Sequence, residues 1–194
     1  MKKVLLVIMI IILLLTVIGC NFEDDENIEI KKRYKIDEIA ETIEYLTVDD
    51  VITYEDEEVR LESDIKVYVD GELLKKSTRF NKNVEGEDVE VLIFRRRSLI
   101  PLRDFADALD IELAWEGRGQ KQHVYMYSTD RTVKFFVNSN KFILYDDENN
   151  FKEMYTETPS ILYEGTLYVP VRFLVEVLGM DVEWEGRDIK IDRR

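Results

Sequence analysis

The sequence predicts an α+β fold in which two pseudo-symmetric strand-helix-strand-strand repeats pack as one mainly β domain with short helices. Three observations predict it. Ile100-Pro101-Leu102-Arg103 through Trp115-Glu116-Gly117-Arg118 returns as Val169-Pro170-Val171-Arg172 through Trp184-Glu185-Gly186-Arg187, at a constant offset of 69 residues without an insertion. After each proline the apolar residues recur at spacings of three and four, as on a helix buried along one side. Around the helices apolar and polar residues alternate, the period of a half-buried strand.

The chain opens with an export signal, residues 1–19. Lys2 and Lys3 precede an apolar run from Val4 to Ile18, 15 residues long, which is short of the roughly 20 that a helix needs to cross the hydrocarbon layer. Val17-Ile18-Gly19-Cys20 resembles the bacterial lipobox, in which the cysteine sulfur accepts a diacylglycerol and becomes the mature amino terminus. Cys20 is therefore the predicted lipid attachment site, with an uncleaved anchor or a plain secretory signal as the competing readings. It is also the only cysteine, so an internal disulfide is excluded.

The whole chain has 194 residues, with 41 acidic and 27 basic side chains. Processing removes the two lysines, leaving 25 basic against 41 acidic residues, a balance of −16. Such a surface repels nucleic acid and attracts cations and basic partners. Residues 20–35, with Glu23-Asp24-Asp25-Glu26 followed by Lys31-Lys32-Arg33, are too polar to bury a core and are predicted to be a flexible charged tether. In residues 36–63, Ile36, Ile39, Ala40, Ile43 and Leu46 line one face of a short amphipathic helix, and Val51–Tyr54 and Val59–Leu61 are expected as short strands.

From residue 64 to 194 the sequence predicts the main domain, with repeats near 98–128 and 167–192. Val67 and Val69 alternate before Asp70-Gly71, a two-residue hairpin signal, and Glu72-Leu73-Leu74. Further strands are expected at 89–94, 124–127, 132–137 and 142–144. Within each repeat the proline closes a strand and suits the first helical turn. Leu102, Phe105, Ala106 and Leu109 form one helix face, and Val171, Leu174, Val175 and Leu178 the other. Gly179 suits a left-handed helix end, where the first copy has Asp110. Ile111, Leu113 and Trp115, and likewise Met180, Val182 and Trp184, are expected to point inward.

These paired motifs, with the Val-Tyr-Val-Asp-Gly-Glu hairpin before them, resemble the domain named for the amino-terminal stalk of copper amine oxidases. The resemblance covers about residues 64–194 and departs from the family in Asp110 and in a long turn from Glu116 to His123. It implies an extracytoplasmic module of a cell-envelope protein of the kind common in Gram-positive bacteria, with neither copper nor redox chemistry.

The residues themselves offer little catalytic equipment. Amine oxidase chemistry needs three histidine ligands and a tyrosine in an Asn-Tyr-Asp/Glu context, whereas the chain has one histidine, His123, and no Asn-Tyr pair. Thiol and serine-triad nucleophiles lack their parts. Asp146, Glu148, Asn150 and Glu157 fit four positions of a calcium loop, but Phe151 stands where the turn glycine belongs, which favours a solvated hairpin loop. Arg103 and Arg172 oppose the helix dipole at the start of their helices, so each needs a carboxylate or a tryptophan face as a partner. Arg103, Trp115, Arg172 and Trp184 are accordingly read as structural ties, with ligand contact as the alternative.

The sequence therefore predicts a lipid-anchored protein on the extracytoplasmic face of the cell membrane, with a non-catalytic stalk or binding module and no cofactor. Its expected partners are the membrane, through Cys20, and a cell-wall or envelope protein or glycan. The alternatives are a small carboxylate-based envelope hydrolase and a solute-binding lipoprotein, for which 175 mature residues are few.

Overall fold

The computed structural model describes residues 59–79, 82–118, 122–148 and 150–194, all within the unit Glu38–Arg194. Cys20, the tether, the helix read at 36–46 and the strand read at 51–54 lie outside the described residues. Five strands begin the description, and four of them form two antiparallel hairpins. β1 (Val59–Glu62) leads to β2 (Val67–Val69) and β3 (Glu72–Leu73), then to β4 (Val91–Phe94) and β5 (Arg97–Pro101). Helix α1 (Leu102–Ala108) is followed by β6 (Glu112–Glu116), β7 (His123–Tyr127), β8 (Arg131–Phe136), β9 (Lys141–Asp146) and β10 (Phe151–Tyr155). The chain ends with β11 (Ile161–Tyr163), β12 (Thr166–Pro170), helix α2 (Val171–Leu178), β13 (Asp181–Glu185) and β14 (Asp188–Asp192).

The strands form three sheets, in the orders β1-β4-β5-β12-β11, β10-β9-β8-β7-β6 and β13-β14-β2-β3. This corrects the α+β expectation: the architecture is mainly β, and its helices are only seven and eight residues long. The physical reason is where each repeat goes after its helix. β5 and β12 pair antiparallel about Ile100 and Val169, which are equivalent positions of the two copies. Beyond that pairing the copies part. Hairpin β6–β7 continues into β8, β9 and β10, whereas hairpin β13–β14 takes β2 as its neighbour. The duplicated sequence therefore does not build two equivalent packing units.

Local chemistry sets the ends of the helices. Pro101 and Pro170 precede the first helical residues, and neither helix has a side-chain N-cap bond. At the other end, Ile111 N–H bonds to Ala106 O at 2.8 Å, and Met180 N–H bonds to Val175 O at the same distance. Gly179 takes φ +66°, and Asp110 accepts φ +56° in the matching place. Both ends are Schellman-like stops in which a left-handed residue satisfies a free carbonyl.

One hydrophobic core draws on all three sheets and both helices. Val67 and Ile189 come from one sheet, Ile100 and Val169 from another, and Met126 and Phe135 from the third, with Phe105 and Leu174 from the helices. Phe173 of α2 stacks on Phe142 at 4.1 Å and meets Phe135 edge-on at 6.2 Å, geometries that aromatic pairs favour. A smaller cluster of Val59, Leu92, Phe94, Leu99, Ile161 and Tyr168 covers the far face of the first sheet. β1 therefore pairs with β4 across the boundary placed at residue 64. Among the described residues no helix is long and apolar enough to cross a membrane.

The β4–β5 hairpin turns through Arg95 and Arg96, at φ +46° and +68°, where the register pairs Phe94 with Arg97. Two consecutive left-handed residues normally call for Asn-Gly. Replacing Arg95-Arg96 by Asn-Gly is expected to raise unfolding stability by about 1 kcal/mol, and denaturant melts of the two chains measure it. An unchanged midpoint would show that the Arg95 contact over the Phe94 ring, 4.8 Å to its centroid, repays the strain.

Candidate functional site

The chain leaving β3 crosses the amino-terminal turn of α1 and opens a cleft of about 580 Å³ lined by Lys75, Lys76, Ser77, Arg79, Asp107 and Glu112, among others. Ser77 is its centre. Its amide donates to Asp104 Oδ1 at 2.7 Å, and its hydroxyl donates to the Asp107 carboxylate. Arg79 Nη1 lies 3.7 Å from Asp107 Oδ1. Burial pushes the Asp104 carboxyl above its ordinary value, against the lowering effect of the Ser77 amide, and the Asp107 charge adds to the rise.

The cations of the cleft are committed as well. Lys76 pairs with Glu87 at 3.0 Å and Glu90 at 3.7 Å, and Asp88 sits between Lys66, at 2.6 Å, and Lys75. Hydrogen bonds from those two ammonium groups hold Asp88 down at about 2. A carboxylate serving as general acid or base must present an oxygen to the substrate. Here both Asp104 and Asp107 receive a donor from Ser77, an arrangement that fastens the segment 75–79 to α1.

The residues singled out by the repeat occupy different environments. Arg172 is exposed on α2 and places its guanidinium 5.7 Å from the centroid of the Trp184 ring. Trp184 is 43 % exposed on edge strand β13, so it is not the inward-facing residue that alternation predicts. Trp115 is half-buried and packs against the main core. Arg103 is exposed at the start of α1, where its charge offsets part of the burial effect on Asp104. The same motif thus gives a packed tryptophan in the first copy and a surface arginine-tryptophan pair in the second.

His123 is buried at the head of β7, with Nε2 3.3 Å from Glu116 Oε2 on its register partner and its ring edge-on to Tyr125. The calcium-loop positions do not converge. Asp146 Oδ1 accepts the backbone amides of Glu148 and Asn150 at 3.0 and 2.9 Å, and Glu157 instead pairs with Arg97 at 2.9 Å. Among the described residues no group of three histidine, cysteine or acidic side chains could hold a metal ion.

Sequence reasoning missed Lys134 and Lys141, which are buried on β8 and β9. The signal was available in the alternation of β8, whose even positions carry Thr132, Lys134 and Phe136. Lys134 Nζ lies 4.9 Å from the Phe136 centroid and 5.3 Å from that of Tyr125, and burial lowers its pKa to about 8.

Residues 79–192, more than half of the chain, match the copper amine oxidase N-terminal domain. The chain belongs to that family. No curated protein and no solved structure shows significant similarity to it. The copper amine oxidase N-terminal domain is a non-catalytic domain, in keeping with a cleft whose carboxylates act as fasteners. The match begins at Arg79, so β2 and β3, which complete the β13–β14 sheet, lie ahead of it.

Two expectations follow. Trp115→Ala should cost about 3 kcal/mol through lost burial, whereas Trp184→Ala should cost less than about 1 kcal/mol, the scale of an exposed cation–π contact. Denaturant melts decide, and equal losses would contradict the asymmetry. Second, the Asp88 pKa is below its unfolded value, so the stability it contributes is present above the ordinary value of 3.8 and fades as pH falls toward about 2. Asp104 has the opposite sign, because protonation relieves its burial. In thermal melts at pH 7, Asp88→Asn should lower Tm and Asp104→Asn should raise it; the Asp104 difference should vanish below the ordinary carboxylate value of 3.8 and the Asp88 difference only as pH falls below about 2.

Proposed function

We propose that the protein is a lipid-anchored component of the cell envelope whose β domain serves as a non-catalytic stalk or binding module on the outer face of the cytoplasmic membrane. The observation that carries this reading is the family membership of residues 79–192 in a chain that begins with a lipobox-like export signal ending at Cys20. The anchor is the diacylglycerol on Cys20, and the domain carries no amine oxidase activity. Its partner is a cell-wall or envelope protein or glycan.

The surface supports a binding role in one respect. Trp184, exposed beside Arg172, is one of three large hydrophobic side chains at the described surface, with Phe151 and Tyr155. A flat ring with an adjacent cation can stack on a sugar ring or pack against an aromatic side chain. For the hydrolase reading, the carboxylate pair of the cleft is Asp104 and Asp107, and the Ser77 bonds to both weigh against that pair.

Detergent-phase partitioning with mass spectrometry of the amino terminus tests the anchor. The wild-type chain should enter the detergent phase with a lipid-modified Cys20, and Cys20→Ser should remain unprocessed or be released. An unmodified wild-type Cys20 would remove the localisation. Envelope extracts passed over the protein test the module, because Trp184→Ala should lose a captured partner while keeping its fold.

A further inference from the structure

Strand β10 forms an outer edge of its sheet. At the two ends of its ladder with β9, Asp146 N–H bonds to Asn150 O at 3.1 Å and Thr156 N–H bonds to Asn140 O at 3.0 Å, and the register between them is unbroken. In an antiparallel ladder, residues that face the neighbouring strand alternate with residues whose N–H and C=O point away from it. Asn150, Lys152, Met154 and Thr156 therefore face β9. Phe151, Glu153 and Tyr155 aim their backbone groups outward, where none of the described strands pairs with them.

The side chains of the same three residues lie on one side of the strand. Phe151 is 49 % and Tyr155 59 % exposed, so two of the three large hydrophobic side chains at the described surface stand on this one edge. Glu153 lies between them. It pairs with Lys141 at 3.0 Å and accepts the Tyr155 hydroxyl at 3.5 Å, yet its side chain remains 40 % exposed. Exposed acids continue past both ends of the strand, with Asp147 and Glu148 before Phe151 and Glu157 after Tyr155.

An edge with open backbone groups and exposed rings is completed by an added strand. The sheet is antiparallel throughout, and in an antiparallel pair the side chains directly opposite one another decide the fit. The matching strand therefore carries a large apolar side chain opposite Phe151 and another opposite Tyr155, a lysine or arginine opposite Glu153, and further basic residues at its ends. A second copy of the chain fits poorly. A two-fold pairing about Glu153 joins Phe151 to Tyr155 but sets Glu153 against Glu153, between two molecules of the same net negative charge. Lys152, exposed on the other side of the strand, is the kind of edge charge that discourages indiscriminate pairing.

We infer that β10 is a docking edge for an extended basic and apolar segment of another polypeptide, which adds as an antiparallel strand through the backbone groups of Phe151, Glu153 and Tyr155. This rests on the binding-module part of the proposed function and gives that module a second surface, independent of the lipid anchor and of Trp184.

Amide hydrogen exchange of the full chain, read residue by residue by NMR, tests the docking with the peptide Lys-Thr-Phe-Thr-Lys-Thr-Val-Thr-Lys as probe. The peptide should slow exchange at the amides of Phe151, Glu153 and Tyr155 at least about ten-fold. N-methylation at its phenylalanine, central lysine and valine removes the donors that face the edge and should abolish the protection, and glutamate in place of the central lysine should weaken binding about five-fold. Phe151→Thr/Tyr155→Thr keeps strand-forming residues at two exposed positions and should lose the peptide while retaining its fold. Unchanged exchange with the probe, equal protection by the N-methylated peptide, or undiminished binding to the threonine variant overturns the inference. So does protection of the three amides that rises with protein concentration in the absence of peptide, which makes the occupant a second copy, or protection produced only by soluble cell-wall glycan fragments. The measurement involves neither Cys20 nor Trp184, so its failure leaves the anchor and the Trp184 surface standing.

Discussion

The parallel pairing of β14 with β2 is the constraint on which the rest of the domain depends. It joins strands more than a hundred residues apart, with Ile189 N–H bonding to Lys66 O and Asp70 N–H bonding to Ile191 O, each at 2.8 Å. Val67, Val69, Ile189 and Ile191 then become one surface of the main core. Neither hairpin is viable without the other, because a lone two-stranded ribbon buries too little. Around the join, Arg193 reaches Asp70 at 2.6 Å and Arg187 reaches Glu62 at 3.0 Å. Exposed ion pairs of this kind add little energy singly, so they set the register of a closure that hydrophobic burial drives. A domain closed in this way has to fold as a whole, and its contacts are costly in loop entropy until most have formed.

That closure explains why a true sequence duplication does not give a symmetric architecture. The equivalence of the copies is kept where the chain is locally determined: proline at the strand end, apolar stripe along the helix, left-handed residue at its stop. It is lost where a strand must find a neighbour, since the first copy meets β8 and the second meets β2. The tryptophans follow their sheets. Trp115 turns toward the core shared with Leu113, while Trp184 stands at an outer edge and takes Arg172 as its companion.

Legibility in the sequence followed the same division. The Asp70-Gly71 hairpin, the helix faces and the strands at 67–69, 123–127 and 131–136 could be read because each has a local signature. β10 could not, because Phe151–Tyr155 is an edge strand with no buried residue to set an alternation. The β4–β5 turn was hidden by Arg95-Arg96, residues that seldom take positive φ. The fold class was misjudged for a related reason: two helical motifs were conspicuous, while the strands between the repeats carry apolar residues on both faces and so lose their period. The repeated arginines and tryptophans were visible as a pattern, but exposure depends on sheet membership, which no spacing reveals. The cleft at Ser77 depends on contacts about thirty residues apart in sequence and had no motif at all.

The acidic composition also acquires a physical meaning. Asp104 and Asp107 fasten the segment 75–79 to a helix, and Asp88 holds two lysines of neighbouring loops. Asp70 binds the carboxyl-terminal strand end through Arg193, and Asp146 folds a hairpin loop on itself. Each of these carboxylates is already accepting hydrogen bonds that the backbone or a nearby cation needs. An acid committed in this way is a poor proton donor or nucleophile, because using it for chemistry would release the segment it holds. The exposed Trp184 ring beside Arg172 stands on a framework that these carboxylates help to keep closed.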